Sequence, residues 1–122
     1  MSNLRGHCRV LVIEADPLSR TALAALLEHL GCACCAAKSF PQAVELLDGQ
    51  THVIASIEHD DSTGFELLKL IRDRRLSHHV AVTTALERDD EAVRSVAQLE
   101  PELLLRKPLD IDSLLGWLDH SR

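Results

Sequence analysis

Aromatic side chains are nearly missing from this chain, which has two Phe, one Trp and no Tyr in 122 residues. Trp117, beside the stripe of the last helix, is either an edge of the core or an exposed contact. If solvent-facing it would stand out as an anchor for a protein partner, since Trp is a favoured interface residue. Clustered basic charge is also missing. The net charge is −6, and nucleic-acid binding driven by counterion release needs the Lys and Arg patches this chain lacks. No apolar run approaches the roughly 18 residues of a membrane span. The opening Met-Ser-Asn-Leu-Arg is not followed by the apolar core of a secretion signal. The expectation is a cytoplasmic protein that binds neither membrane nor nucleic acid. Linkers, internal repeats and low-complexity segments are absent as well, so residues 1–122 are expected to form one domain.

The four cysteines make no disulfide framework, because Cys32, Cys34 and Cys35 crowd into one apolar run far from Cys8. There they read as small hydrophobes. A zinc reading would need a second C-x-x-C pair. A thiol or metal sensor built on Cys32, Cys34 and Cys35 is kept only as a third functional reading. The seven His are scattered without a metal-ligand spacing.

What is present is alternation. With 46% hydrophobic and 26% charged residues the chain has the makeup of an ordinary globule. Arg9–Ile13 has the length and β-branching of a buried strand, and Asp16-Pro17 after it is a helix start. Asp16 can cap free amides while Pro17 occupies the first turn. Leu23, Leu26, Leu27 and Leu30 make one apolar helical face, which Gly31 ends. Cys32–Ala37 reads as a second strand. Ser39 through Gln42 has the form of a capping box for a helix over about 40–48. Val53–Ser56 is a third strand, Phe65, Leu68 and Ile71 mark a third helix, and Val80–Thr84 is a fourth strand. A fourth helix starts at Asp89 or Asp90, turns Val93, Val96 and Ala97 inward, and stops before Pro101. Leu103–Leu105 is a fifth strand. Asp110 caps a last helix whose Ile111, Leu114, Leu115 and Leu118 form its stripe. Alternation of this kind gives an α/β, doubly wound (βα)5 three-layer sandwich around a parallel five-stranded sheet.

In such a sheet every strand sends its carboxyl end to one edge, where ligands and chemistry collect. That edge gathers Glu14, Ala15 and Asp16, then Ser56 and Glu58, then Thr83 and Thr84, then Lys107. Carboxylates that hold a hard cation, a hydroxyl and an ammonium that hold phosphoryl oxygens, and a strand-end acceptor are the parts of a phosphoryl site.

Several stretches at matching spacing carry a family resemblance: Val12-Ile-Glu-Ala-Asp-Pro-Leu-Ser-Arg20, Leu30-Gly31, Gly64-Phe-Glu-Leu-Leu68, Thr84-Ala85 and Lys107-Pro108-Leu109. Over essentially its full length the chain resembles the receiver domain of bacterial response regulators, of the CheY type. The resemblance implies the flavodoxin-like strand order 2-1-3-4-5, with a site at the switch point between strands one and three. It also implies the position of the phosphorylated Asp, eight residues before the Gly that opens the third helix. Counting back from Gly64 reaches Ser56. The second acid after strand one falls on Ala15, and the aromatic switch position falls on Leu104. Thr84 and Lys107 match the family pattern.

Each departure has a chemical consequence. A Ser hydroxyl is a poor nucleophile unless a base takes its proton, and Glu14 or Asp16 would have to reach it. Mg²⁺ relies on one or two carboxylates, so its binding is expected to be weak or absent, with Glu14 and Asp16 as the remaining candidates. Capping accounts for Asp16 without a metal. Glu14 can pair with Lys107, and Thr84 can serve a local hydrogen bond.

The preferred reading is a degenerate, non-enzymatic receiver, a phosphorylation-independent interaction module of a two-component signalling system. Its expected partner is a histidine kinase, an effector domain or another signalling protein. The interaction face is expected to carry Arg94, Leu104, Asp112 and Trp117, on a monomer or weak homodimer. The alternative is a phosphorelay receiver with a displaced acceptor at Asp60, Glu58 or Ser56.

Overall fold

A computed structural model describes residues 5–59 and 61–121. Its elements alternate from end to end: β1 (Arg9–Ile13), α1 (Pro17–His29), β2 (Ala33–Ala37), α2 (Phe40–Leu47), β3 (His52–Ile57), α3 (Thr63–Asp73), β4 (His79–Thr84), α4 (Glu91–Ala97), β5 (Leu103–Arg106) and α5 (Ile111–His120). All neighbouring strands pair in parallel, in the order β2-β1-β3-β4-β5. This is the flavodoxin-like arrangement, with the order reversing between β1 and β3.

Strand alternation splits the core into two layers. Val10, Val12 and Ile54 face one way, where they pack with Leu27 of α1 and Leu114, Trp117 and Leu118 of α5. Leu11, Ile13, Val53, Ala55 and Ile57 face the other way, against Ala43 and Leu47 of α2, Leu67, Leu68 and Ile71 of α3 and Val96 of α4. The helix starts follow from their capping residues. Asp16 accepts the Ser19 N–H, Ser39 the Gln42 N–H, Asp90 the Ala92 N–H and Asp110 the Asp112 N–H. Gly31, at φ 94°, supplies the left-handed residue that closes α1.

Three expectations about inward-facing residues need correction. Ala97 is exposed, because α4 is short and turns Ala92, Val93 and Val96 to the core instead. Ile111 is 40% exposed, since the inward face of α5 is set by Leu114, Trp117 and Leu118. Trp117 is the third. It is 7% exposed, and its indole N–H donates to Glu102 Oε1 at 2.9 Å. It is a core residue and leaves the expected interaction face.

Candidate functional site

The carboxyl edge of the sheet brings four side chains into one polar cluster. Glu14 follows β1, Ser56 lies near the end of β3, Glu58 follows it, and Lys107 follows β5. The Lys107 ammonium donates to Glu14 Oε1 at 2.7 Å, to Ser56 Oγ at 3.3 Å and to Glu58 Oε1 at 3.4 Å. Ser56 in turn donates to Glu58 Oε1 at 3.2 Å. All three ammonium protons thus have acceptors. Glu14 is 4% exposed, so its charge is tolerable there only because Lys107 faces it. Its second oxygen accepts the Asp16 N–H at 3.2 Å. Partial burial of Lys107 works to lower its pKa. The hydrogen bond and charge of Glu14, with Glu58 behind them, outweigh that and hold the ammonium above the usual lysine range.

Backbone contacts fix this geometry. Arg20 Nη1 donates to the carbonyls of Glu14 and Ala15 at 3.0 and 3.2 Å, clamping the loop after β1 onto α1. Gly64 lets α3 start directly against β3, because a Cβ there would sit 2.4 Å from the Ser56 carbonyl oxygen. The Lys107–Pro108 peptide is cis.

The remaining predicted positions lie outside this cluster. Ala15 is exposed. Asp16 turns its carboxylate to the Ser19 N–H at 2.8 Å, and that bond holds the acid below its usual pKa. Thr84 donates to the Ile57 carbonyl at 2.7 Å and accepts the Leu86 N–H, which ties the ends of β3 and β4 together. Leu104 is 38% exposed on β5, and Arg94 and Asp112 are exposed on α4 and α5. Asp60 lies outside the described residues.

The carboxylate that reaches Ser56 is Glu58, where the sequence pointed to Glu14 or Asp16. The signal was available, because residues two apart at the end of a strand share a face. The Arg20 clamp engages main-chain carbonyls and left no such trace.

A hard cation fits this donor set poorly. Glu14 and Glu58 are engaged by Lys107, Ala15 offers no side-chain oxygen, and Asp16 is turned to its cap. A divalent ion would have to displace the ammonium from its carboxylates. Ser56 has a carboxylate partner in Glu58, but that carboxylate also serves Lys107, which makes it a weaker proton acceptor.

The cysteines lie away from this edge. Burial pushes the Cys32 and Cys34 thiols up, to about 11 and about 12. A thiol held in that range carries little of the nucleophilic thiolate near neutral pH. The described residues contain no group of His, Cys, Asp and Glu placed to hold a metal ion, and no helix among them is long and apolar enough to cross a membrane.

Comparison with known proteins accounts for this architecture. The profile of the response regulator receiver domain matches residues 10–119, and the chain belongs to that family. No curated protein matches it in sequence. Among solved structures it is similar to a response regulator receiver protein from Pseudomonas putida, with 25% identity, TM-score 0.79, and 92% of this chain and 95% of that one covered. A LuxR-family DNA-binding response regulator from Staphylococcus aureus shares the fold at 21% identity and TM-score 0.80, covering 93% and 99% of the two chains. A CheY-like receiver domain from Methylobacillus flagellatus does so at 22% identity and TM-score 0.77, covering 94% and 98%.

Proposed function

We propose that this receiver domain signals without aspartyl phosphorylation, as a protein–protein interaction module with one standing conformation. The observation that carries this reading is the closed network at Lys107. Its ammonium is committed to Glu14, Glu58 and Ser56, at the position where the family resemblance places the acceptor. Ser56 supplies a hydroxyl there in place of a carboxylate, and Ala15 removes an acid that would help hold Mg²⁺. Mg²⁺ binding is then weak or absent, and the domain acts by being bound rather than by turning over a substrate. The exposed positions Arg94, Leu104 and Asp112 belong to the face offered to a histidine kinase, an effector domain or another signalling protein. Where phosphorylation would bias a two-state equilibrium, the lysine ion pairs hold one state.

The test is intact mass after incubation with Mg²⁺ and acetyl phosphate, beside a variant carrying Ser56→Asp and Ala15→Asp. The native chain should gain no phosphoryl group, while the double variant gains one. Incorporation into the native chain would overturn the reading and direct fragment mapping to Ser56, Glu58 and Asp60.

A further inference from the structure

A cavity of about 270 Å³ opens beside the polar cluster, between α1, the carboxyl ends of β1, β3 and β4, and the loop after β5. Leu23, Leu26, Ile54 and Leu109 form most of its wall, and Ser56, Thr83 and Lys107 meet at one end. Its volume lies just under the roughly 300–1,000 Å³ of drug-sized sites. It is far larger than the roughly 30 Å³ share of one water. Water against the leucine wall would lack most of its hydrogen bonds, so the space suits an apolar body.

The polar end tells what that body carries. Thr83 is 2% exposed and lines the cavity, and its hydroxyl has no hydrogen-bond partner among the described residues. The neighbouring Thr84 hydroxyl, on the opposite face of β4, has two. The Thr83 oxygen is not sealed off but open to the cavity, so a group entering the cavity can pair with it. The charges beside it exclude an anion. Lys107 is already matched at the cavity wall by Glu14, with Glu58 behind it at 3.4 Å, so no uncompensated positive charge is left for an anion. The same charges disfavour a cation as well, because Lys107 already occupies the acceptors an ammonium would need.

We propose that this cavity is a binding site for a small uncharged molecule, an apolar body with one alcohol or ketone oxygen that pairs with the Thr83 hydroxyl. The site stands independently of the reading above, since neither Thr83 nor the leucine wall takes part in phosphoryl chemistry. It lies against Ser56 and Lys107, so its occupant would touch the network that sets the state of the domain.

Three probes with one ring and three head groups test the site: cyclohexanol, cyclohexanecarboxylate and cyclohexylammonium. Each is titrated into the full ¹⁵N-labelled chain while amide shifts are followed. Cyclohexanol should give saturable shifts at Leu23, Leu26, Ser56 and Thr83, with both charged probes at least about tenfold weaker, the cost of burying an uncompensated charge. Thr83→Val keeps the shape and removes the hydroxyl, and should weaken cyclohexanol roughly 3- to 10-fold. Ala22→Leu, at an exposed position on the rim, should abolish saturation while leaving the spectrum folded. Absence of saturable shifts with cyclohexanol overturns the proposal. So does an affinity unmoved by Thr83→Val, or tighter binding of either charged probe.

Discussion

One face of β3 carries two buried polar residues, His52 at its start and Ser56 near its end, with Ile54 between them. They resolve burial in opposite ways. Around Ser56 the groups are charged, and Glu14, Glu58 and Lys107 compensate one another at a rim where water still reaches the lysine. Around His52 the solution is neutrality. His52 is 1% exposed, its ring lies 4.9 Å from that of His79 at a tilt of 35°, and Trp117 meets it edge-on at 5.0 Å. Its Nε2 lies 3.0 Å from the Ser121 carbonyl and its Nδ1 2.6 Å from the Thr51 hydroxyl. A carbonyl only accepts, so Nε2 bears the proton and Nδ1 accepts from Thr51. Burial, with His79 nearby, pushes His52 down to about 4, against the opposing hydrogen bond to the Ser121 carbonyl. The carboxyl edge is built to hold compensated charge. The amino edge is built to fasten α5 to the sheet.

Removing Trp117 should break the amino edge most severely. Trp117→Ala is expected to cost about 3–5 kcal/mol in urea denaturation, with no effect on the carboxyl-edge ion pairs. Acid should strike the same end. His52 has a folded pKa of about 4 against 6.5 unfolded, so between those values the unfolded chain binds more protons. Stability contributed by neutral His52 is therefore present above pH 6.5 and lost as pH falls towards 4, by about 3 kcal/mol in all. His7, His79 and Glu102 face the ring. Glu102, held below its usual pKa by His79 and Trp117 against its own desolvation, adds loss only below about 4.5. His52→Gln should flatten the denaturation profile between pH 6.5 and 4.

The carboxyl edge should respond to charge balance. Lys107→Met leaves Glu14 buried and unpaired and should cost about 2–3 kcal/mol, less than a fully buried pair because the ammonium is partly hydrated. Adding Glu14→Gln should return stability to within about 1 kcal/mol of the native chain. Recovery in the double variant would show that the ion pair sets local geometry more than it stabilises. Ser56→Ala should be the mildest change, within about 0.5 kcal/mol, because Lys107 keeps both carboxylates. A larger loss would mean that the hydroxyl, and not the ion pairs, organises the edge.

The contrast also explains what the sequence made legible. Helix starts were readable because Asp16, Ser39, Asp90 and Asp110 act on amides two or three residues away. Strand order and the gathering of Glu14, Ser56 and Lys107 followed from alternation and family spacing. The starts of β3 and β4 were not readable. Both strands begin one residue earlier than hydrophobicity suggests, at His52 and His79, whose burial depends on Trp117, Glu102 and Ser121 far along the chain. Trp117 was misjudged for the same reason. Its position on α5 says nothing of the Glu102 carboxylate waiting for its N–H on the strand side.

The bond from His52 to the Ser121 carbonyl also has a mechanical meaning. β3 is the middle strand of the sheet, paired on both sides, and Ser121 closes α5. A pull on the chain at Ser121 is therefore delivered partly to the best-braced strand in the molecule. Tension there reaches the centre of the sheet as well as the flank that α5 covers.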